Sequence, residues 1–420
     1  MMTKITQEKV DKFMFYFSII DIMFLPYIWF ISTNYSLILL SIWCLIRIKS
    51  IIQMKEFKLS IVLALIMALS TVVSLYCHPK VLSSGDEIWI QNIKMMLQYC
   101  SYFMYYIMFV YCIKKYDDLK IKELLIMFLI FATIFAIIYC IDKGLFANIK
   151  SIWNNVDAYT KWFKEGAMIQ YRYNFTWTDP NNPAYAFVAV MTFLILNIKT
   201  NNCEKLLSII MTMFLLICTM STGGVLSFVI IVIATIFICT IPKLIKNKFK
   251  PKITKKALVI TIAITLLIIY ILVNTPVITN LSIYREATER IFGNIDEGSG
   301  SRFSIWLTIL ENTNIFYNIL LGTGGRQVII NNEKIIAPHN GHLYLIYAYG
   351  MIFYAIFVYE FFRKRKNISI KEYLFVIPVL IGFTINTIIG EQKFFVLYLL
   401  LYAVSYCKKT EKLKESEKSE

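Results

Sequence analysis

Residues 123–141 read ELLIMFLIFATIFAIIYCI, and after Glu123 this run contains no charged side chain. An α-helix needs about 20 predominantly apolar residues to cross the hydrocarbon core of a bilayer, where it satisfies its own backbone hydrogen bonds. Similar runs recur along the chain, which is 58% hydrophobic and 17% charged, against roughly 45–50% and 25% in soluble domains. The sequence therefore predicts an all-α polytopic membrane protein.

The apolar runs predict about twelve transmembrane helices. Their expected bounds are 13–31, 35–52, 59–76, 93–113, 123–141, 183–198, 206–221, 224–241, 257–273, 341–362, 371–389 and 392–407. These spans divide the chain into N-terminal transmembrane helices (1–141), an extracytoplasmic loop (142–182), central transmembrane helices (183–273), a large extracytoplasmic loop with short helices (274–340), C-terminal transmembrane helices (341–407) and a charged cytoplasmic tail (408–420).

Basic residues set the expected orientation, because Lys and Arg next to a span resist translocation. Every second predicted loop is basic, as in KLIKNKFKPKITKK (243–256) and RKRK (363–366). This pattern places both termini in the cytoplasm and predicts a multi-pass protein of the cell membrane. The formal charge of +16 follows largely from the same pattern, so nucleic-acid binding is not needed to explain it.

Cysteine and nucleotide patterns argue against several classes of mechanism. Most of the nine cysteines, such as Cys112 and Cys218, fall inside predicted spans without CxxC or metal-ligand spacing, and are interpreted as packing residues. The sequence contains no Walker, dinucleotide-binding or zinc motif. It therefore predicts no cofactor, no bound metal and no ATP-driven mechanism.

The two long extracytoplasmic loops are the expected site of any chemistry, because long loops in compact proteins are usually functional or disordered. They are rich in aromatic and arginine side chains: Trp153, Tyr159, Trp162, Trp177, Arg285, Arg290, Arg302, Trp306 and Arg326. Aromatic rings can stack on sugars, and guanidinium groups bind phosphate in a bidentate manner. A site for a lipid-linked sugar diphosphate needs both kinds of side chain. The competing interpretation is that the aromatic residues lie at the membrane interface and that the arginines are solvated.

Arg172 and Arg302 have more specific sequence contexts. Arg302 precedes an amphipathic stretch with near-helical spacing, so we expect it at the start of a short interfacial helix, whose backbone amides favour anions. Arg172 lies shortly before Asp179, Pro180 and Asn181, a turn and helix-start pattern leading into the sixth span. These residues are candidates for holding a diphosphate or its sugar.

Two of the three histidines lie in PHNGHLYLIYAYG (338–350). A neutral imidazole suits removal of a proton from an attacking hydroxyl near pH 7. His339 is the first candidate for this base and His342 is the alternative, while Asn340 is expected to cap the following helix or to orient a substrate. The competing interpretation is a structural histidine hydrogen-bonded to backbone.

Three segments, in this order along the chain, resemble the O-antigen ligase/polymerase superfamily, which includes Wzy-type polymerases and O-antigen ligases. They are RYNFTWTDPNNPA (172–184), GSGSRFSIW (298–306) followed by LLGTGG (320–325), and PHNGHLYLIYAYG (338–350). The resemblance implies a metal-independent glycosyltransferase that uses a polyprenyl-diphosphate glycan as donor and inverts the anomeric centre. It implies His339 as the base, and Arg172 and Arg302 as diphosphate ligands.

One position departs from this family pattern. MSTGGVLSF (220–228) has Thr222 where relatives often have an arginine. Either another arginine compensates or the site is built differently, and the candidates for compensation are Arg285, Arg290 and Arg326. The partners implied are a polyprenyl-diphosphate-linked oligosaccharide, membrane lipid and, as candidate proteins, a flippase and a chain-length regulator.

Three functions remain open from the sequence. The first is polymerisation of capsular or exopolysaccharide repeat units, and the second is an O-antigen-type ligase that transfers finished glycan to another acceptor. A composition rich in Ile, Lys, Asn and Tyr hints at a low-GC bacterium lacking lipopolysaccharide, which favours the polymerase. The third is a lipid-linked-sugar transporter, which usually carries ionisable residues inside its spans. Few ionisable residues fall inside the predicted spans of this chain, and Asp21 and Glu360 are among them.

Overall fold

The computed structural model describes residues 4–28, 34–77, 87–153, 157–166, 171–246, 305–311, 319–325, 328–330, 334–336, 338–365 and 368–417. Most of them are helical. The helices are α1 (Lys4–Phe24), α2 (Ser36–Ile46), α3 (Ile48–Ile51), α4 (Lys55–Cys77), α5 (Ile88–Lys115), α6 (Ile121–Ile141), α7 (Lys143–Trp153), α8 (Ala158–Lys164), α9 (Asn181–Leu196), α10 (Asn202–Thr219), α11 (Thr222–Lys246), α12 (305–311), α13 (Gly341–Phe362), α14 (Ile370–Tyr373), α15 (Val376–Ile385) and α16 (Gln392–Glu417).

Five helices in the described ranges are long and apolar enough to cross a membrane: Lys55–Tyr76, Ile88–Lys115, Ile121–Ile141, Asn202–Thr219 and Gly341–Phe362. Shorter apolar helices accompany them, including Asn181–Leu196 and Gln392–Cys407. The helical class expected from composition is therefore confirmed, and the apolar helices are consistent with the expected association with a membrane. Predicted span 257–273 lies outside the described residues, and span 371–389 is divided among α14, α15 and a 3₁₀ turn at Ile388–Gly390.

Helices α5 and α16 form the centre of the bundle. Tyr99, Tyr102 and Tyr106 of α5 are all fully buried. Phe395 of α16 packs against Tyr102, with ring centroids 5.1 Å apart, and against Phe357 of α13 at 5.7 Å. A helix that is hydrophobic on all sides is normally enclosed by other helices, which explains why these two occupy the interior.

Basic residues from separate predicted cytoplasmic loops gather at one end of the bundle, here called the basic end. Asp11 of α1 binds Arg47 Nε at 2.8 Å and Lys115 Nζ at 3.1 Å. Lys114 binds Glu56 at 2.8 Å beside them. These contacts join α1 to Arg47, between α2 and α3, and to Lys115, at the end of α5. They agree with the predicted grouping of basic residues on one side of the bundle.

Helix α13 is broken at Gly350, although the sequence predicts an uninterrupted span over 341–362. Gly350 has φ of 83° and ψ of 168°, a conformation that L side chains rarely adopt. The break brings His342 Nδ1 to 2.9 Å from the hydroxyl of Tyr354. In a straight helix these residues would stand about 18 Å apart along the axis, so the chain folds back at Gly350.

The LLGTGG segment (320–325) caps the first half of broken α13. The backbone amides of Thr323 and Gly324 donate to the carbonyls of Tyr347 and Ala348 at 2.5 and 2.8 Å. These carbonyls have no continuing helical turn to bind them. Inside a membrane, unsatisfied backbone groups are costly, so irregular backbone there needs such partners.

Helix α4 holds the same segment from its other side. The hydroxyl of Ser70 donates to the carbonyl of Leu321 at 2.7 Å, and that of Thr71 donates to the carbonyl of Gly324 at 3.1 Å. A Cβ on Gly322 would lie 2.6 Å from the carbonyl oxygen of Ala348. The glycine-rich pattern thus permits close backbone approach, a structural role that sequence alone did not assign.

Gly350→Ala is expected to lower the melting temperature sharply. Its Cβ would overlap the carbonyl of Leu320, and the backbone conformation would be strained, for a combined cost of about 2–6 kcal/mol. Thermal melts of two control variants, Gly166→Ala and Gly390→Ala, separate the effect of backbone strain from the effect of steric overlap. Gly166 has φ of 70° with open space around it, and Gly390 has open space without a positive φ. Equal melting of Gly350→Ala and Gly390→Ala would contradict the break.

A two-stranded antiparallel hairpin precedes α13, where the sequence predicts only a loop with short helices. Val328–Ile330 pairs with Lys334–Ile336, and Ile329 stands opposite Ile335. Short β-branched runs separated by a few residues favour such pairing. The predicted large loop therefore carries a hairpin as well as the short helix α12.

Candidate functional site

Residues 171–181, here called the strap, run through the protein core instead of forming a surface loop. Its fully buried aromatic side chains are Tyr171, Tyr173, Phe175 and Trp177. The Trp177 ring packs between Phe128 of α6 and Phe394 of α16, with both centroid distances at 6.1 Å. Trp177 therefore cannot stack on a sugar, whereas Trp162 on α8 is 45% exposed.

Lys150 of α7 anchors the middle of the strap. Its Nζ donates to the carbonyls of Phe175 and Trp177 at 2.5 and 2.6 Å and lies 3.7 Å from Asp157. Burial lowers the pKa of this ammonium group to about 8. Sequence reasoning missed this residue, because the helical spacing of α7 does not reveal which side faces protein.

Glu391, immediately before α16, anchors the far end of the strap. It accepts hydrogen bonds from the Thr178 amide at 3.0 Å, from the Thr178 hydroxyl and from the hydroxyl of Tyr27. Lys393 donates to the carbonyl of Leu25 nearby. The sequence signal for this residue is the EQK triplet (391–393) at the start of an apolar run.

Arg172 lies beside the starts of two helices. Its Nε donates to the carbonyl of Thr219 at 3.0 Å and its Nη2 to Asn181 Oδ1 at 2.9 Å. Asp179 accepts from the Asn181 amide at 2.7 Å, where α9 begins. The structure thus brings together Arg172, Asp179 and Asn181, as their order in the sequence suggested, but Arg172 is only 6% exposed.

The start of α11 adjoins this group. Ser221 donates to Asn181 Oδ1 at 3.0 Å and accepts from the Gly224 amide at 3.2 Å. Thr222 is the first residue of α11. Of the arginines that the structure describes, Arg172 alone lies at this end of the bundle, because the others contact Asp11 or Glu360 at the basic end.

His339 lies directly before α13 in a left-handed conformation with φ of 44°, and its side chain is exposed. Asn340 caps the helix, as predicted, by accepting from the amides of His342 and Leu343 at 2.9 and 3.1 Å. Trp306 of α12 donates its indole N–H to the carbonyl of Pro338 at 2.7 Å. The indole thus holds the backbone beside His339.

His342 is engaged within the protein through both ring nitrogens. Nδ1 lies 2.9 Å from the Tyr354 hydroxyl and Nε2 lies 3.1 Å from Thr384 Oγ1. Because Thr384 donates its own hydroxyl to the carbonyl of Leu380, Nε2 must carry the proton and Nδ1 accept from Tyr354. This arrangement ranks His339 above His342 as a base for an incoming hydroxyl.

Helix α15 contacts both groups of candidate residues. Its Gly382 lies against the ring of Tyr185, one turn beyond Asn181 on α9. The next residue, Phe383, packs against the ring of His342 with centroids 4.6 Å apart. The strap and the start of α13 therefore adjoin the same helix, whose Phe383 also packs against Phe362 in the second half of α13, with ring centroids 5.1 Å apart.

Several predicted site residues are not part of this geometry. Arg285, Arg290, Arg302 and Arg326 lie outside the described residues, although α12, which Arg302 would precede, is helical as expected. In the described part of the chain, no group of three or more His, Cys, Asp or Glu side chains is arranged to hold a metal ion.

Trp306→Phe is expected to lower the melting temperature slightly. It should lower any activity that depends on the position of His339 by a larger factor. The phenyl ring keeps most of the apolar contact but loses the hydrogen bond to Pro338, worth about 1 kcal/mol, and thereby releases the backbone beside His339. Parallel thermal melts and activity assays would measure both changes. An activity loss no larger than the loss of folded protein would contradict this positioning role.

Comparison with known proteins identifies no relative. No protein-family model, no curated protein and no solved structure matches the chain. The resemblance of its three segments to the O-antigen ligase/polymerase superfamily therefore stands on those residues alone.

Proposed function

We propose that this protein polymerises polyprenyl-diphosphate-linked oligosaccharide repeat units into a capsular polysaccharide or exopolysaccharide. The observation that carries the proposal is the convergence of three segments that are distant in sequence. Segments 172–184, 320–325 and 338–350 each resemble the superfamily. Segment 320–325 bonds directly to the first half of α13, and the starts of α9 and α13, which the other two segments enter, both adjoin α15. A shared catalytic site explains why these segments occur together.

The orientation of the proposed site follows from the basic end. Lys and Arg near spans favour the cytoplasm, so we assign the basic end and both termini to that side, with about twelve crossings of the cell membrane. The candidate residues then lie at the extracytoplasmic face. A polyprenyl-linked donor can reach that face after a flippase has moved it, without nucleotide sugars or ATP.

In the proposed reaction, a hydroxyl of one lipid-linked repeat unit attacks the anomeric carbon of the growing chain. The bond from that carbon to the diphosphate oxygen breaks, a glycosidic C–O bond forms, and His339 takes the hydroxyl proton. Arg172 and Arg302 stabilise the negative charge on the departing polyprenyl diphosphate. Backside displacement inverts the anomeric configuration, which NMR of donor and product can check.

The test uses purified protein in liposomes with its lipid-linked repeat unit, without ATP or added metal. A polymerase produces a ladder of products that differ by one repeat, resolved on a gel. A single transfer of finished glycan to a different acceptor would instead indicate the ligase. Lipid-linked units that change leaflet without any new bond would indicate the transporter.

The transporter remains the second candidate because of two observations. Asp21, Glu391 and Lys393 are buried ionisable residues in or beside apolar helices, and such residues often mark transport pathways. Helix α13 is also discontinuous at Gly350, as helices at transporter binding sites often are. Glu391 accepts hydrogen bonds from Thr178 of the strap, and Lys393 donates to the carbonyl of Leu25. These bonds give both charged groups a structural role, which favours the enzyme.

A further inference from the structure

A buried charge network lies between the strap, α1 and the start of α16. It contains three carboxylates and two ammonium groups, all at most 3% exposed: Asp21, Asp157, Glu391, Lys150 and Lys393. Lys393 interacts electrostatically with Asp21 and Glu391, and Lys150 with Asp157 and Glu391. With all five groups ionised, the network within the described residues carries one negative charge in excess. An uncompensated buried charge is strongly destabilising.

Asp21 has the fewest hydrogen-bond partners of the three carboxylates in this network. Asp157 accepts from the amides of Tyr159 and Thr160 and from Asn174 Nδ2, and Glu391 accepts from Tyr27 and Thr178. Among the described residues, Asp21 bonds only to Ser36, whose amide donates to Oδ2 at 2.5 Å and whose hydroxyl also interacts with the Asp21 carboxylate. Its Oδ1 is buried and has no hydrogen-bond partner among the described residues.

Two further buried side chains beside Asp21 also have polar atoms without a hydrogen bond of normal geometry in the part of the chain that the structure describes. They are Ser18, through its hydroxyl, and Asn34, whose amide atoms make no hydrogen bond of normal geometry although the side chain interacts with the Tyr105 hydroxyl; both are fully buried. Ser18 is three residues before Asp21 on α1 and therefore shares its helix face. Asn34 is two residues before Ser36, whose amide binds Asp21, and its carbonyl accepts from the Leu37 amide at 3.2 Å.

We propose that Asp21, Asn34 and Ser18 form a binding site for a sodium ion. Carboxylate, amide carbonyl and hydroxyl oxygens are ligands for hard cations, and the amide of Asn34 can turn its oxygen toward such an ion. A monovalent cation neutralises the single excess charge, whereas a divalent ion would leave a buried positive charge. The site is separate from the residues proposed for glycosyl transfer.

The test measures ²²Na⁺ binding by purified protein in detergent, with melting temperature measured in NaCl and in choline chloride at equal ionic strength and pH. The wild type is expected to bind sodium saturably and to melt higher in NaCl. Asp21→Asn should remove both effects, and Ser18→Ala, which leaves the charge unchanged, should weaken sodium affinity by about ten-fold or more. Asp142→Asn, in the turn between α6 and α7, is the matched control and should behave as wild type.

Absence of saturable sodium binding by the wild type would overturn the proposal, even if Asp21→Asn fails to fold. Equal stabilisation by sodium and potassium would overturn the sodium assignment. A wild-type melting temperature that changes with pH but not with sodium, together with a flat pH profile in Asp21→Asn, would instead indicate that Asp21 carries a proton.

Discussion

Replacing His339 with alanine is expected to slow polymerisation by about 10²–10⁴-fold, the usual contribution of a positioned general base. Its side chain is exposed directly before α13, where an acceptor hydroxyl can approach. Single-turnover assays with the lipid-linked repeat unit would measure the loss. The melting temperature should change little, because an exposed side chain contributes little to packing.

His342→Ala is the matched control for this prediction. It removes a ring held between Tyr354 and Thr384, so we expect lower stability and an activity loss that follows the folded fraction. The opposite pattern, with His339→Ala active and folded His342→Ala inactive, would assign the base to His342 and contradict the ranking drawn from the structure.

Lys150→Met is expected to lower the free energy of unfolding by about 3–5 kcal/mol, the usual cost of removing one partner of a buried ion pair. The change leaves the carbonyls of Phe175 and Trp177 without their donor and Asp157 without its nearest cation. Thermal melts in detergent would measure it. Lys161→Met, at a position 73% exposed, is the matched control and should melt as wild type does.

The pH dependence of the melting temperatures of the wild type and Lys150→Met tests the burial of the Lys150 charge in a second way. The pKa of Lys150 is lowered by burial to about 8, against a usual value of 10.5. Between these values the unfolded chain holds the proton more tightly than the folded chain, so stability rises with pH. Wild-type protein should therefore gain melting temperature relative to Lys150→Met from pH 8 towards 10.5. A constant or shrinking difference would contradict the burial of this charge.

The elements that sequence predicted best are those that local chemistry determines. Apolar runs long enough for a bilayer became helices, and Asn340 caps α13 because its side chain accepts from the next free amides. Asp179 likewise binds the amide of Asn181 where α9 begins. These interactions involve neighbours within a few residues, so the sequence contains enough information to predict them.

The features that sequence missed depend on contacts between distant segments. The break at Gly350 depends on capping by LLGTGG, about 25 residues earlier in the chain. The burial of the strap depends on Lys150 and on Glu391, more than two hundred residues beyond it. Hydrophobic spacing indicates that one helix face is apolar, but in a membrane protein that face can meet either lipid or protein.

The most direct test of the proposed reaction counts polyprenyl diphosphate released against glycosidic bonds formed. Purified protein in liposomes receives the lipid-linked repeat unit alone, and mass spectrometry quantifies the free lipid diphosphate and the chain length of the glycan. Polymerisation predicts one polyprenyl diphosphate for each new bond, with both signals lost in His339→Ala. Repeat units that remain joined to their lipid diphosphate, with no new bond, would contradict glycosyl transfer by this protein.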